Sequence, residues 1–206
     1  MKRFHNWRLL MKKRDSEQIS NHRAQIRSWR TLESRTVFSN HWISLDIDQV
    51  ELPNGQLYDY TVVRRASHGV AALVFDDENR LLLESEYRYP VDEVIWQLPG
   101  GLVNAGEEPL AAVKRELAEE TGYVADSWEY LGDFWDNPAL GDMKIFLYIC
   151  RNIQRKAEIH FDVAEFIAAE WKTLNWLKNA VMFGEIRDRV LLSALGMLLA
   201  RGQCGD

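Results

Sequence analysis

Three glutamates within five residues, Glu116, Glu119 and Glu120, have a spacing that could do chemistry. At about 100° per residue of an α-helix, Glu119 falls near −60° and Glu120 near +40° from Glu116, so the carboxylates crowd an arc of roughly 100°. Leu110, Val113 and Leu117 make an adjoining apolar stripe, which places the acids at the border of buried surface, where screening of their repulsion is weaker. A divalent cation would turn that repulsion into attraction. Because the donors are hard oxygens and no His or Cys lies in residues 101–123, the fitting ions are Mg²⁺ and Mn²⁺, which take few carboxylates, keep several waters and share phosphate oxygens. Taken alone, the three glutamates read more readily as a solvated helix face, with Lys114 and Arg115 as local partners.

The flanking residues define the element that carries them. Pro109 suits a first helical turn, and Gly122 suits a left-handed residue just past the end, so a helix is expected from about Glu108 to Thr121. Ahead of it the chain is β-rich. Ile43, Leu45 and Ile47 alternate with polar residues as in a half-buried strand, and Pro53-Asn54-Gly55 signals a hairpin into LYDYTVVRR. GVAALVF and RLLLESEYR, separated by Asp76-Asp77-Glu78-Asn79, carry a second hairpin signal, and VIWQL is a short strand broken by Pro99-Gly100-Gly101. Beyond the helix, MKIFLYIC and FIAAEW read as strands, whereas LNWLKNAVMF and EIRDRVLLSALGMLLA have helical spacing. Strands with helices on either side point to an α+β fold, an α/β/α sandwich.

Read as a whole, GLVNAGEEPLAAVKRELAEETGY, from Gly101 to Tyr123, resembles the Nudix box. Gly101, Glu107, Arg115, Glu116, Leu117, Glu119, Glu120 and Gly122 fall in its register, and the aromatic Tyr123 replaces an aliphatic residue as the one departure. So many matches at fixed spacing outweigh the solvated-face reading. The resemblance extends over roughly residues 36–200 through YTVVRR, SEYRYP, WQLPGG and DNPALG, and looks most like the ADP-ribose and nucleoside-diphosphate-sugar pyrophosphatase branch. It implies a Nudix fold of mixed β-sheets with a loop–helix–loop catalytic motif. It also implies Glu116, Glu119 and Glu120 as Mg²⁺ or Mn²⁺ ligands with the Gly100 carbonyl, and an Arg115–Glu107 pair that fixes the loop to the helix.

The expected reaction is substitution at phosphorus by water, with metal neutralising the diphosphate and Glu120 and Arg115 at the catalytic centre. For the general base the resemblance points to Glu165 in DVAEFIAAEW, with Glu158 and Asp162 as rivals. Arg64 and Arg88, each at the end of a strand, are candidates for bidentate phosphate contact, and an ordinary surface arginine is the alternative for each. Pro138 lies 15 residues past Tyr123, a spacing associated with ADP-ribose pyrophosphatases, though it also reads as a plain turn with Ala139-Leu140-Gly141. Trp42, Tyr58 and Tyr87 could stack a base, but aromatics in strands are more often core or cross-strand partners and stay unassigned.

Composition bounds the rest. At 206 residues and 47% hydrophobic, one globular domain is expected over 36–206, preceded by a basic arm over 1–35. Residues 1–30 hold nine Lys or Arg against two acids, a local charge of +7 that leaves −13 on the rest of a chain whose total is −6. No apolar run reaches the ~18 residues of a membrane span, so no membrane association and a cytoplasmic location are expected. Cys150 and Cys204, the two cysteines, support neither a disulfide framework nor a thiolate zinc site. The acidic body disfavours nucleic acid as a partner, which leaves a nucleotide-sugar substrate and, by resemblance, a homodimer. Alternatives within the resemblance are a dinucleoside polyphosphate, a nucleoside triphosphate or an RNA cap as substrate. A non-catalytic nucleotide-sugar-binding regulator is the alternative of another class, and the intact box speaks against it.

Overall fold

The computed structural model describes residues 27–161 and 166–202. The described residues divide into two compact units, one holding 27–40 and 44–62, the other 41–43 and the described residues from 63 onward. Most of the basic arm lies outside the described residues. Its last six positions, from Arg30 to Arg35, are already part of a strand.

The first unit is built on a sheet ordered β1-β2-β3, with β1 at Arg30–Ser39, β2 at Ile43–Glu51 and β3 at Leu57–Arg65. Leu52 and Gly55 close the expected hairpin, the Gly55 N–H donating to the Leu52 carbonyl at 2.8 Å with Gly55 at φ +83°. β2 forms where its alternation predicts, yet its most buried residues are Asp46, Asp48 and Val50, while Ile43, Leu45 and Ile47 are only half-buried. The cause is cross-strand: β1 runs antiparallel with Ser34 opposite Asp48 and Thr36 opposite Asp46. The Thr36 hydroxyl donates to Asp46 at 2.7 Å, so the buried acids are hydrogen-bonded as burial requires.

In the second unit, β4 (Gly69–Val74), β7 (Tyr123–Trp135) and β8 (Lys144–Arg155) form a sheet ordered β4-β8-β7, parallel between β4 and β8 and antiparallel between β8 and β7. A second sheet, β6-β5-β9, joins β5 (Leu81–Arg88) antiparallel to β6 (Glu93–Gln97) and β9 (Ile167–Lys172). The turn at residues 76–79 closes as expected, with Asn79 at φ +58°, but β4 and β5 do not stay paired. After the single bridge Phe75–Leu81 they part into different sheets. β4 and the first half of β5, Leu81–Leu83, are apolar and buried on two faces, the pattern of strands covered on both sides, so each needs a layer above and below.

Those layers are helices. Ala71, Leu73 and Phe75 face one cluster with Leu177 of α2 (Leu174–Met182) and Leu191, Ala194 and Leu198 of α3 (Arg189–Ala200). Val70, Ala72 and Val74 face the other, with Ala112, Val113 and Leu117 of α1 (Pro109–Thr121). This is the expected α/β/α sandwich. Thr173 caps α2 by accepting from the Trp176 N–H at 3.1 Å, and Asp188 caps α3 by accepting from the Leu191 N–H at 2.7 Å.

Candidate active site

Helix α1 starts at Pro109 and stops at Gly122, whose φ of +71° lets its N–H reach the Ala118 carbonyl. With Val113 and Leu117 locked in the core, Glu116, Glu119 and Glu120 line a cavity of about 640 Å³ in the second unit. The loop 99–101 runs close beside them. Gly100, at φ +155° and packed against the Val70 carbonyl and the Ala71 backbone, has no room for a Cβ and requires glycine, whereas a Cβ on Gly101 would stand 2.5 Å from the Glu116 carboxylate and push that side chain aside. The Gly100 N–H donates to Glu120 at 2.8 Å, which ties the most buried of the three glutamates to the loop.

Arg115 is the hub of this wall. Its Nε and Nη2 form a two-pronged pair with Glu107, each at 3.0 Å, and Nη2 also donates to the Leu102 carbonyl. Its Nη1 lies 2.9 Å from Glu116 and 3.0 Å from Glu119. The guanidinium holds the Glu107 carboxyl below the usual glutamate range, and the ring of acids raises the guanidinium in turn. Among the described residues no three acidic, His or Cys side chains converge on one point, since Glu116 and Glu119 lean on Arg115 and Glu120 on Gly100. The donor set is nonetheless all oxygen, with room beside it for solvent, which fits a hard cation that keeps several of its own waters.

Other elements complete the cavity. Arg88 at the end of β5 lines it, with Nε and Nη2 donating to the Gln97 side-chain oxygen at 3.1 and 2.6 Å. Gln97 Nε2 donates to the buried Glu86 at 2.7 Å. Asp188 also lines it, and burial pushes its carboxyl above the usual range. From the loop that follows β8, His160 reaches the cavity, its N–H donating to the Glu119 carbonyl at 2.8 Å.

A model of the NUDIX domain matches residues 66–193, which contain the whole of this cavity apart from Trp42 and Arg65. The chain belongs to the Nudix family. A second model, the nucleoside diphosphate sugar hydrolase N-terminal domain, matches residues 29–63. The ADP-ribose pyrophosphatase of Bacillus subtilis is 30% identical over 162 residues, covering 77% of this chain and 86% of that protein. The methanol dehydrogenase activator of Bacillus methanolicus is 35% identical over 127 residues, 62% of this chain and 68% of the other. A crystal structure of an ADP compounds hydrolase superposes with a TM-score of 0.78 at 20% identity, covering 87% of this chain and 98% of that one, which establishes the shared fold.

Set against this Nudix framework, the sequence-derived residues fall into three groups. Glu116, Glu119, Glu120, Gly100, Arg115 and Arg88 are brought together around one cavity. Arg64 and Pro138 are not on its lining: Arg64 lies 3.7 Å from Asp142, and Pro138 sits in a turn where Leu140 and Gly141 donate to the Asn137 carbonyl. Glu165 and Asp162 lie outside the described residues, and Glu158 is almost fully exposed, 3.9 Å from His160. The Nudix helix nevertheless carries the segment they follow, since Lys156 and Ala157 both donate to the Gly122 carbonyl at 3.1 Å.

Sequence reasoning missed Arg65, Glu86, Gln97 and Asp188, which reach the cavity from separate elements, and left Trp42 unassigned although it lines the cavity too. Arg65 had a partial signal, being adjacent to Arg64 in YTVVRR, and a strand's alternation means that one of the two must face the other way. Tyr58 makes edge contacts with Trp29 and Tyr60, and Tyr87 donates to Asp92 at 2.9 Å, so both have ordinary packing roles.

Proposed function

We propose that this Nudix hydrolase is a Mg²⁺- or Mn²⁺-dependent pyrophosphatase that cleaves ADP-ribose or a related nucleoside diphosphate sugar into a nucleoside monophosphate and a sugar phosphate. The observation that carries this reading is the facing of one cavity by the α1 glutamates and by Arg88, an anionic wall for metal and a cation for phosphate. The names of the relatives and the match to the N-terminal domain of nucleoside diphosphate sugar hydrolases point the same way.

In this account Glu116, Glu119, Glu120 and the Gly100 carbonyl hold the divalent ion, which when bound supplies charge neutralisation of the diphosphate and a more acidic water. Arg115 holds Glu107, and with it the loop, against the helix and sets the two neighbouring glutamates. Arg88, fixed by Gln97 and Glu86, binds one phosphate, and Arg65 binds the other from the far strand end. Water attacks one phosphorus, the bridging P–O bond breaks, and the bridging oxygen leaves with the second phosphate. Glu165 takes the proton of the attacking water.

We also infer a homodimer. β1 is an edge strand exposed along its whole length, and among its polar residues it displays Leu32, Val37 and Phe38, the kind of unpaired strand edge with apolar side chains that a second subunit covers. Among the described residues no helix is long and apolar enough to cross a membrane, and a cytoplasmic location is part of the same proposal. The test of the reaction is chromatography of products from ADP-ribose and Mg²⁺: AMP and ribose 5-phosphate in equal amounts are expected, whereas orthophosphate alone, or no turnover of any nucleoside diphosphate sugar, contradicts it. Light scattering that returns the 24.0 kDa monomer at micromolar concentration contradicts the dimer.

A further inference from the structure

The cavity holds two carboxylates that the metal wall does not explain. Glu86 of β5 has a side chain only 8% exposed, yet it lines the cavity. Its Oε2 accepts from Gln97 at 2.7 Å and pairs with Arg88 at 2.9 Å, while no hydrogen bond or ion pair among the described residues engages Oε1. Gln97 is gripped in turn by two nitrogens of Arg88, so Glu86 cannot swing away without breaking a network of three side chains. Asp188 gives Oδ1 to the Leu191 amide, faces the same cavity and feels the charge of Arg88.

The chemistry of these surroundings selects the ligand. A phosphate placed against the two acids would be repelled. A cation would meet the Arg88 guanidinium beside Glu86, and at Asp188 the positive N-terminal end of α3. Neutral donors remain, and hydroxyl groups give carboxylates short, charge-assisted hydrogen bonds. We propose that Glu86 and Asp188 form a polyol subsite, accepting hydrogen bonds from the hydroxyls of the sugar that hangs from the phosphate held by Arg88. The subsite rests on the pyrophosphatase reading and adds to it which end of the substrate lies against β5 and the start of α3. A cavity of about 640 Å³ has space for such a group beside the diphosphate.

The experiment compares two probes with the same adenosine diphosphate: ADP-ribose, and the methyl ester of ADP, which lacks the terminal sugar. Affinities are measured by calorimetry with Ca²⁺ as the divalent ion, for the full chain and for the double variant Glu86→Gln/Asp188→Asn. Both changes keep shape; Gln retains an oxygen for Arg88, and Asn caps a helix as well as Asp does. The full chain should prefer ADP-ribose by about tenfold or more, and the variant by about twofold or less, because neutral acceptors hold hydroxyls more weakly. A full chain that binds the two probes equally, or a variant that keeps the whole preference, overturns the subsite. Failure of the pyrophosphatase reading shows separately, as no AMP formed from ADP-ribose with Mg²⁺, whatever the binding ratio.

Discussion

The α1 wall and the β5–β6 wall of the cavity present the same side-chain chemistry through opposite designs. On α1, three glutamates and one arginine come from a single helical turn and a half, and their mutual geometry follows from helical periodicity once Val113 and Leu117 are buried. On the other wall, Glu86, Arg88, Gln97 and Asp188 come from two strands and a helix cap, and their geometry exists only because β5 pairs with β6 in one register, Glu86 opposite Ile95 and Arg88 opposite Glu93. A wall carried by one element tolerates change around it, whereas a wall assembled from several depends on their pairing. In the proposed division the first wall holds what every member of the chemistry needs, metal, and the second holds what distinguishes one substrate from another.

The sharpest way to break that division is to cut into the first wall. Glu120→Gln should lower kcat by roughly 10³-fold while leaving the circular dichroism and the cooperative melt intact, because a charged ligand is lost and the Gly100 N–H keeps an oxygen partner. Turnover within threefold of wild type would remove Glu120 from the catalytic centre. Next in size is the base. Glu165→Gln should reduce kcat by about 10²-fold or more with KM and metal affinity near wild type, and Glu158→Gln and Asp162→Asn serve as controls. If one of the controls reproduces the loss while Glu165→Gln stays within threefold, that control residue and not Glu165 is the proton acceptor.

Smaller effects separate scaffold from chemistry. Arg115→Lys cannot reproduce the fork on Glu107, so stability should drop by about 2 kcal/mol and Tm by roughly 5 °C, read by calorimetry without substrate. An unchanged Tm would mean that the fork is a surface pair of little consequence. The same fork has a pH signature. Since the folded Glu107 carboxyl titrates below its unfolded value, its contribution is present above about pH 4.3 and is lost as pH falls through the folded value. Glu107→Gln should therefore lose stability at pH 7 and lose less of it than wild type on acidification; a parallel pH profile would contradict this.

Asp188 has the opposite sign and the smallest expected effect. Its carboxyl is raised by burial, so its contribution is full below about pH 3.9 and is lost as pH rises through the folded value. Asp188→Asn should raise Tm slightly at neutral pH and lose that advantage in acid. A lower Tm at pH 7 would show that the negative charge of Asp188 at the start of α3 stabilises more than its burial costs.

The same contrast explains what was legible in the sequence. The helix bounds at Pro109 and Gly122, the glycine loop and the glutamate face are all local, and each could be read from spacing. β1 could not, because it is exposed throughout and has no apolar alternation to betray it. β7 went unread as well: its register shifts between Tyr130 and Gly132, which breaks the period on which strand reading depends. The parting of β4 from β5 was hidden too, since a turn that closes at residues 76–79 says nothing about which strands pair beyond it. Glu86, Gln97 and Asp188 are 11 and 91 residues apart in sequence, and only sheet register and a helix cap bring them to one cavity. Arg65 rather than Arg64 reaches it for a reason of one residue of strand parity.

The division of labour between the two walls is tested most directly by Mn²⁺ binding, followed by the electron paramagnetic resonance of the free ion, in wild type, Glu119→Gln, Glu120→Gln and Glu86→Gln. If α1 holds the metal, the two α1 variants weaken Mn²⁺ binding by about tenfold or more and Glu86→Gln stays within about twofold of wild type. Equal Mn²⁺ affinity in all four proteins, or a loss confined to Glu86→Gln, would contradict the account.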